Sequence, residues 1–264
     1  MKRVFITGAS SGLGAALAKR YAQQGAVLGL LARRGELLEQ LVQALPPTPH
    51  GRQHRIYAVD VTDHAAVARA AGDFLHAHGG ADVVIANAGI SAGTLTEHAE
   101  DLAVFERILA TNVTATVATF TPFIAAMKQQ AQAGSRDCRL VGIASVAGIR
   151  GLPGAEAYSA SKAAVISYCE SLRVELGESG IRVVTIAPGY IDTPMTKKNP
   201  YPMPFLKHPD VFAEKAVAAI DAGTSYRVIP WQMGIVAKLL RLLPNWLYDA
   251  AFSKAPHKPR HAKP

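Results

Sequence analysis

The chain runs from the apolar segment Val4-Phe5-Ile6-Thr7 directly into the glycine-rich segment Gly8-Ala9-Ser10-Ser11-Gly12-Leu13-Gly14. The apolar residues favour a buried β-strand, and the glycines let the backbone turn sharply and come close to a ligand. A helix beginning at Gly12 would direct its N-terminal N–H groups at an anion such as a pyrophosphate. The spacing G-x-x-x-G-x-G differs from the usual dinucleotide fingerprint, and a plain loop or helix cap has the same composition. A turn placed between a strand and a helix nevertheless meets the structural requirement for a dinucleotide site. The residues predicted to form this nucleotide cradle are Thr7, Gly8, Ser10, Ser11, Gly12, Leu13 and Gly14.

Apolar β-type runs alternate with segments of helical periodicity along most of the chain, which is typical of βαβ units. The predicted strands are Arg3–Thr7, Ala26–Ala32, Arg55–Val59, Asp82–Ala86, Arg139–Ala144, Arg182–Ala187 and Arg227–Ile229. The predicted helical segments are 12–24, 35–44, 63–78, 99–132, 157–178 and 209–222. Several strands are almost uninterrupted apolar runs, as expected when helices cover both faces of a parallel sheet. The sequence therefore predicts an α/β fold: a Rossmann-like, doubly wound parallel sheet of about seven strands with helices on both faces.

Two segments depart from this alternation. Residues 192–209 contain Pro194, Pro200, Pro202, Pro204 and Pro209, too many prolines for a helix interior, so they are predicted to form a loop. Residues 231–252 are predicted to form an amphipathic helical extension. Residues 253–264, rich in proline, lysine and histidine, are expected to be a basic, disordered tail. We therefore assign residues 1–230 to a single Rossmann-type domain.

The composition argues against several classes of protein. The net charge is +8, but the segment from residue 231 onward carries +5 of it, which argues against a nucleic-acid partner. Cys138 and Cys169 cannot form a disulfide framework and lack the spacing of metal ligands, so we expect buried thiols, no metal and a reducing cytoplasm. No run reaches the roughly 18 apolar residues of a spanning helix. The basic start Met1-Lys2-Arg3 precedes an apolar run too short for an export signal.

The end of the second predicted strand, Leu30-Leu31-Ala32-Arg33-Arg34, bears on the choice of cofactor. An NAD-selective site places Asp or Glu there to accept a hydrogen bond from the ribose 2′-hydroxyl. Here the small Ala32 leaves space, and Arg33 and Arg34 would clamp a 2′-phosphate through charge-assisted hydrogen bonds. The alternative is that both arginines are solvated charges at a helix entry. We expect NADP(H) in preference to NAD(H).

Further along, the chain contains, in order, Asn87-Ala88-Gly89, Asn112, Ser145, Tyr158-Ser159-Ala160-Ser161-Lys162 and Pro188-Gly189. Together with the nucleotide cradle, this ordered set resembles the short-chain dehydrogenase/reductase superfamily, from Lys2 to about Gly223. A lone Tyr and Lys four residues apart would carry little weight, because such pairs are common on helices. The order of the whole set is what is specific.

Carbonyl reduction by a nicotinamide develops negative charge on the substrate oxygen, so the reaction needs a proton donor and a hydrogen bond at that atom. Tyr158 and Lys162 are spaced i, i+4 and project from one face of a helix. We expect the lysine ammonium and a positive nicotinamide ring to lower the tyrosine pKa from its usual value near 10. The resemblance implies that Tyr158 is the general acid/base and that Lys162 also holds the nicotinamide ribose. It further implies that Ser145 hydrogen-bonds the carbonyl or alkoxide oxygen and that Asn112 anchors a water that relays protons to Lys162.

The resemblance also implies the remaining cofactor contacts. Asp60-Val61, after the third strand, would contact the adenine. Asn87, Ala88 and Gly89 would line the cofactor, although Ala86 stands where the family commonly has a further Asn. The main chain at Pro188, Gly189 and Ile191 would pass the nicotinamide, and Thr193 would contact its carboxamide. The loop 192–209 would cover the substrate.

These observations predict an NADP(H)-dependent oxidoreductase that interconverts a carbonyl and an alcohol on a small or lipophilic substrate. A first alternative is a catalytically silent NADP-binding regulatory or scaffold protein, but such relatives usually lose the Tyr or the Lys. A second is a peripheral-membrane reductase of lipid or steroid type, because residues 231–252 have the composition of an interfacial helix. The apolar stripe in that extension consists of Ile235, Val236, Leu239, Leu240, Leu242 and Leu243. We favour packing of this stripe on the substrate pocket or on a second subunit, in a cytoplasmic homodimer or homotetramer.

Overall fold

The structure is a computed structural model that describes residues 1–199 and 201–260. Its strands are β1 (Arg3–Thr7), β2 (Val27–Ala32), β3 (Arg55–Ala58), β4 (Val83–Ala86), β5 (Arg139–Ile143), β6 (Arg182–Pro188) and β7 (Tyr226–Ile229). All seven are parallel and pair in the order β3-β2-β1-β4-β5-β6-β7. The predicted sheet is therefore confirmed, and no strand end differs from its predicted position by more than one residue.

Helices cover both faces of this sheet. They are α1 (Gly12–Gln23), α2 (Gly35–Gln43), α3 (His64–His78), α4 (Asp101–Leu109), α5 (Ala115–Gln132), α6 (Glu156–Glu175), α7 (Pro209–Asp221), α8 (Trp231–Leu242) and α9 (Asn245–Phe252). Because successive side chains of a strand point to opposite faces, Val4 and Ile6 of β1 join one buried cluster with α1, α2 and α7. Phe5, between them, joins a second cluster with α3, α5 and α6. Cys138 and Cys169 are free thiols buried in the second cluster, as predicted.

The topology places a cleft at the carboxyl end of β1. Strand β1 pairs with β2 on one side and with β4 on the other, so the connections leave in opposite directions at this point. In open α/β sheets, ligands bind at such a switch point. The glycine-rich turn after β1 and the segment Asn87-Ala88-Gly89 after β4 meet there.

The predicted helix 99–132 is interrupted in the structure. Helix α4 ends at Leu109, residues Ala110–Thr114 form a π-helical turn, and α5 begins at Ala115. Single π-turns inside helices are rare and frequently mark functional sites. This turn contains Asn112, whose side chain is 1% exposed. The apolar periodicity runs through the turn without a break, so the sequence pattern does not reveal it.

The stretch Asp101–Gln132 has the length of a membrane-spanning helix, and an 18-residue window within it has a mean hydropathy of 1.4. Phe120, Phe123 and Met127 of this stretch are fully buried in the cluster shared with β4 and β5. Such burial is the environment of a core helix in a packed domain.

The C-terminal extension forms α8 and α9, and the face of α8 that packs on the domain is not the apolar stripe that was predicted to pack on the substrate pocket or on a second subunit. Met233, Gly234 and Ala237 are the residues of α8 that are buried against the domain. The predicted apolar stripe instead faces outward, with Leu239 59% and Leu242 79% exposed. Small side chains and glycine allow the close approach of α8 to β7, so the larger apolar residues are left on the outer face.

Arg150 holds the extension in place. Its guanidinium donates hydrogen bonds to the main-chain oxygens of Leu240 and Leu243, at 2.6 and 2.8 Å, where α8 ends. It also lies 3.9 Å from the centre of the Tyr248 ring of α9. The orphan carbonyls at a helix C-terminus are thereby satisfied by a cation, which also complements the helix dipole.

The tail departs from the prediction of disorder. Residues 253–260 lie against the domain, and the main chain at Gly93 forms a parallel bridge with Arg260. Arg260 pairs with Glu100 and with the carboxylate of Asp101, which is buried. A buried carboxylate needs a charged partner, and this requirement holds the tail where composition alone predicts disorder. Residues 261–264 and Pro200 lie outside the described part of the chain.

Candidate active site

A cavity of about 390 Å³ opens at the carboxyl ends of β1 and β4. It brings together most of the residues predicted from the sequence, although they come from distant segments. The predicted residues that line it are Gly8, Ser10, Ser11, Gly12, Leu13, Arg33, Arg34, Asp60, Val61, Asn87, Ala88, Gly89, Ser145, Tyr158, Lys162, Pro188, Gly189, Ile191 and Thr193. Thr7, Gly14 and Asn112 lie behind this lining and support it.

The glycine-rich turn is held against the segment after β4 by direct contacts. A Cβ on Gly14 would collide with the main-chain oxygen of Gly8, and a Cβ on Gly8 would lie 2.7 Å from the Cα of Ala88. Gly8 and Gly12 have φ of +67° and +56°, a conformation that favours glycine. These positions therefore require glycine in order to keep the turn tight and the cleft open.

Thr7 and Asn87 lock the two sides of the cleft together. The hydroxyl of Thr7 accepts hydrogen bonds of 3.1 and 3.2 Å from the main-chain N–H groups of Asn87 and Ala88. The side-chain amide of Asn87 donates to the main-chain oxygen of Thr7 at 2.9 Å. The role of both residues in the described structure is to position the turn.

The N-terminus of α1 opens into the cleft with its N–H groups available. Helix α1 has no acidic residue in its first turn, and no side chain of the described residues caps it. Uncapped N–H groups at a helix N-terminus form an anion site, and the pyrophosphate of a dinucleotide fits this chemistry. A nicotinamide dinucleotide would be held here by Ser10, Ser11, Gly12 and Leu13.

The two arginines after β2 are arranged differently from each other. The Arg34 guanidinium donates hydrogen bonds to the hydroxyls of Ser10 and Ser11, at 3.1 and 2.9 Å. Arg33 lies 3.8 Å from a carboxylate oxygen of Asp60. Burial raises the pKa of Asp60, but hydrogen bonds from Thr62 and the charge of Arg33 outweigh this and lower the pKa overall. Arg34 is therefore the cation that is hydrogen-bonded to the nucleotide cradle, whereas Arg33 forms an ion pair with Asp60.

In the chain without cofactor, burial acts against the lowered pKa that the sequence predicts for Tyr158 beside Lys162 and a bound nicotinamide ring. Burial raises the pKa of the Tyr158 hydroxyl, and a hydrogen bond with Ser145 opposes this rise. Ser145 lies two residues after β5 and is itself oriented, because its hydroxyl donates to the Pro188 oxygen at 3.5 Å and accepts from the Ala147 N–H at 3.2 Å. The chain by itself therefore holds Tyr158 protonated.

In the chain without cofactor, the ammonium of Lys162 is hydrogen-bonded to the main chain. Its Nζ donates a 2.8 Å hydrogen bond to the main-chain oxygen of Ile143 and lies 5.8 Å from the centre of the Tyr158 ring. The residue is 5% exposed, and burial lowers its pKa to about 8. The ammonium thus has donors free for a further partner in the cavity.

The side chain of Asn112 is fully engaged by protein groups. Its carbonyl oxygen accepts a 2.8 Å hydrogen bond from the Ile90 N–H, and its amide donates to the Ile90 oxygen and to Ser161 Oγ, at 3.0 and 2.9 Å. These bonds tie α6 to the segment after β4. The predicted water relay stays a prediction, and the observed role of the side chain is to fix the cavity wall beside Tyr158 and Lys162.

The loop after β6 closes the cleft opposite the glycine-rich turn. Thr193 is buried, and its methyl and Cβ would contact a Cβ built on Gly12 at 3.5 Å. The Thr196 hydroxyl accepts a 2.9 Å hydrogen bond from the Thr193 N–H. Further along this loop, burial raises the pKa of Tyr201 to about 12, with smaller contributions from Tyr190 and Tyr158.

The sequence interpretation missed several residues of the site. Arg107, Thr111 and Ile90 line the cavity, and Lys258 of the tail lies 5.5 Å from the centre of the Tyr158 ring. The i, i+4 spacing of Arg107 and Thr111, one residue before Asn112, could have indicated the first two. No local pattern indicates Lys258, since its position depends on loops more than 100 residues earlier in the chain.

Comparison with known proteins gives a consistent result. The profile of the short chain dehydrogenase family matches residues 2–202. An uncharacterized oxidoreductase of Myxococcus xanthus is 37% identical over 255 residues, covering 95% of this chain and 96% of the relative. A 3-oxoacyl-[acyl-carrier-protein] reductase of Chlamydia trachomatis is 32% identical over 235 residues, covering 85% of this chain and 92% of the relative. Among solved structures, a 3-ketoacyl-(acyl-carrier-protein) reductase of Brucella melitensis complexed with NADH superposes with a TM-score of 0.77 at 28% identity, covering 86% of this chain and 96% of that one.

Proposed function

The chain belongs to the short-chain dehydrogenase family, and we propose that it is an NADP(H)-dependent oxidoreductase that interconverts a carbonyl and an alcohol. Membership of this family supports an oxidoreductase that uses a nicotinamide cofactor. The residues around the cavity support the preference for NADP(H) and the reaction between a carbonyl and an alcohol. The proposed substrate is a small or lipophilic carbonyl compound or alcohol.

One observation carries the choice of NADP(H): Arg34 is hydrogen-bonded to the hydroxyls of both Ser10 and Ser11 beside the small residue Ala32. The family position that would hold an acidic residue in an NAD-selective site has none here, so a 2′-phosphate would meet a guanidinium and two hydroxyls. This preference differs from the NADH bound in the Brucella structure. Charge-assisted hydrogen bonds of this kind contribute about 1.5–3 kcal/mol.

The side chains beside the cavity have the properties that carbonyl reduction needs. When bound, the cofactor supplies or accepts the hydride. Tyr158, kept protonated by burial, donates the proton to the carbonyl oxygen. The Ser145 hydroxyl has one proton, so it turns from its long bond to the Pro188 oxygen in order to donate a second hydrogen bond to the same substrate atom. Lys162, turned towards Ile143 in the chain alone, has donors left for the ribose hydroxyls.

A titration of both nucleotides and a carbonyl screen test this proposal. Quenching of protein fluorescence by NADPH and NADH would give both dissociation constants, and NADPH is expected to bind more tightly by about 1.5–3 kcal/mol. Oxidation of NADPH with aldehydes and ketones then reports turnover. Equal affinities would contradict the cofactor choice. Tight NADPH binding with no turnover across the screen would instead favour the catalytically silent regulatory or scaffold protein.

The exposed apolar residues of α8 and α9 favour an assembly. Leu239, Leu242 and Trp246 are 59%, 79% and 72% exposed, and together with Trp231 and Ile235 they form what we call the outer face. Contiguous exposed apolar side chains favour association. We propose a cytoplasmic homodimer or homotetramer in which a second copy covers the outer face. The second candidate is a peripheral-membrane reductase, since Lys238 and Arg241 beside this face suit an anionic lipid surface.

A further inference from the structure

The tail, residues 253–260, passes directly beside the catalytic side chains. It lies between the loop after β4 and the loop that precedes α6. A Cβ on Gly93 would collide with the main-chain oxygen of Lys258, and a Cβ on Gly154 would lie 2.7 Å from the Cβ of His257. Glycines at both contacts leave the space that the tail occupies.

Arg260 anchors this tail through a bidentate ion pair. Its guanidinium donates to both carboxylate oxygens of Asp101, at 2.8 and 3.1 Å, and to Glu100 at 2.9 Å. The Gly93 N–H adds a 3.1 Å hydrogen bond to the Pro259 oxygen. Bidentate arginine–carboxylate pairs are among the strong and geometrically specific contacts in proteins, so the residue between these anchors and His257 is held in a defined place.

The residue held there is Lys258. Its Nζ donates a 2.6 Å hydrogen bond to Ser91 Oγ and lies 5.5 Å from the centre of the Tyr158 ring. Within residues 1–199 and 201–260, no carboxylate pairs with this ammonium. An ammonium has three donors, so a half-buried lysine with one protein acceptor keeps donors for a ligand. Burial lowers the pKa of Lys258 to about 8, which still leaves it charged at neutral pH.

The neighbouring cavity wall has the same sign of charge. Ile90, adjacent to Ser91, lines the cavity, as does Arg107 of α4. The acidic residue in the lining is Asp60, which is paired with Arg33 at the nucleotide end. Lys162 and Lys258 are the cations beside Tyr158, with their Nζ atoms 5.8 and 5.5 Å from the centre of its ring. Such an environment favours an anionic ligand.

We propose that Lys258 binds an anionic group of the substrate, so that the carbonyl compound accepted by this chain carries a carboxylate. The inference rests on the proposed function for the identity of the reacting group, but not for the binding of the anion. Lys258 then determines specificity, with Arg260 as a positioning residue that holds it beside Tyr158. The remainder of the substrate is free to be apolar, because the loop 192–209 that is predicted to cover it carries apolar side chains such as Met195, Met203 and Phe205.

The test compares carbonyl acids with their methyl esters. Phenylglyoxylate, acetoacetate and levulinate place the carboxylate at increasing distances from the carbonyl, and each methyl ester removes the charge while keeping the carbonyl. The native chain is expected to show a lower KM for at least one acid than for its ester. Lys258→Met should raise the KM for that acid about tenfold, leave kcat within a few-fold and leave the ester unchanged.

Lys254→Met is the matched control, because Lys254 lies in the same tail and is exposed. It should leave every KM unchanged. Arg260→Gln should reproduce the direction of Lys258→Met with a smaller change, since it loosens the tail without removing the ammonium. The proposal is overturned if the native chain shows no preference for any acid over its ester, or if Lys258→Met changes acid and ester equally.

A direct measurement of ligand binding makes the test of the anion site independent of turnover. Isothermal titration calorimetry of the same acids and esters into the NADP⁺-loaded protein should show tighter binding of the acid, lost in Lys258→Met and kept in Lys254→Met. If the acid binds selectively but no carbonyl is turned over, the proposed function fails and the anion site stands. If turnover occurs without selective binding, the proposed function stands and the anion site fails.

Discussion

The ammonium of Lys162 donates a 2.8 Å hydrogen bond to the main-chain oxygen of Ile143, the last residue of β5. This bond keeps a buried cation on the floor of the cavity in the chain without ligand. Because the charge is held away from water, burial lowers the pKa of Lys162 to about 8 from its ordinary 10.5. The buried charge beside Tyr158 therefore lowers the free energy of unfolding, and this effect can be measured.

Lys162→Met is expected to stabilise the fold at pH 7 by about 1–3 kcal/mol, because methionine fills similar space without a buried charge. Between pH 8 and 10.5 the unfolded chain binds more protons at Lys162 than the folded chain does, so the free energy of unfolding of the native chain rises with pH across this window. The difference between native and variant should shrink by pH 10. Urea unfolding at pH 7 and pH 10 measures it; a variant less stable than the native chain at pH 7 contradicts the prediction.

The same variant should impair both chemistry and cofactor affinity. Methionine provides no donors for the ribose hydroxyls and no charge near Tyr158. NADPH titration and single-turnover oxidation of NADPH with an accepted carbonyl separate the two effects. A lower rate with unchanged NADPH affinity would show that Lys162 does not hold the ribose.

Tyr158→Phe should lower the single-turnover rate by about 100-fold or more while leaving NADPH affinity within a few-fold. Only the hydroxyl is lost, and the ring keeps its contacts. Tyr201→Phe is a useful control, since it removes a phenol from the loop after β6 without removing the proposed proton donor. If Tyr158→Phe keeps more than about a tenth of the rate, the assignment as general acid is wrong.

Arg34→Ala should remove most of the preference for NADPH over NADH, whereas Arg33→Ala should remove less, because Arg33 is shared with Asp60. The expected loss for Arg34→Ala is about 1.5–3 kcal/mol of NADPH binding with little change for NADH. Fluorescence titration of both nucleotides with both variants measures this difference. Equal effects of the two substitutions would contradict the separate roles that their hydrogen bonds indicate.

The double substitution Leu239→Lys, Leu242→Lys should reduce the size of the assembly, since both side chains lie on the outer face and contact little within their own protomer. Gel filtration with light scattering gives the mass, and cofactor binding should persist because neither residue lines the cavity. An unchanged mass, together with loss of flotation with anionic vesicles, would favour the peripheral-membrane alternative.

Much of the fold was predictable because its signals are local. The uninterrupted apolar strands and their alternation with helical periodicity predicted the sheet to within one residue at each strand end. The cradle and Tyr158-x-x-x-Lys162 were predictable for the same reason, since each is a short motif on one turn or one helix face. The π-turn at Asn112 was not, because the apolar pattern passes through Ala110–Thr114 unchanged.

The sequence alone was sufficient for the parallel sheet, the family and most of the residues that meet at its carboxyl edge, because strand, turn and helix propensities act between near neighbours. Three features depended on contacts between distant segments. These are the direction of the Lys162 ammonium, the face of α8 that is buried, and the course of the tail past Tyr158. Each depends on which group lies opposite in space: the Ile143 oxygen, strand β7, and the Asp101 carboxylate. Composition predicted a disordered tail, but a buried carboxylate more than 150 residues earlier in the chain supplied the ion pair that holds it.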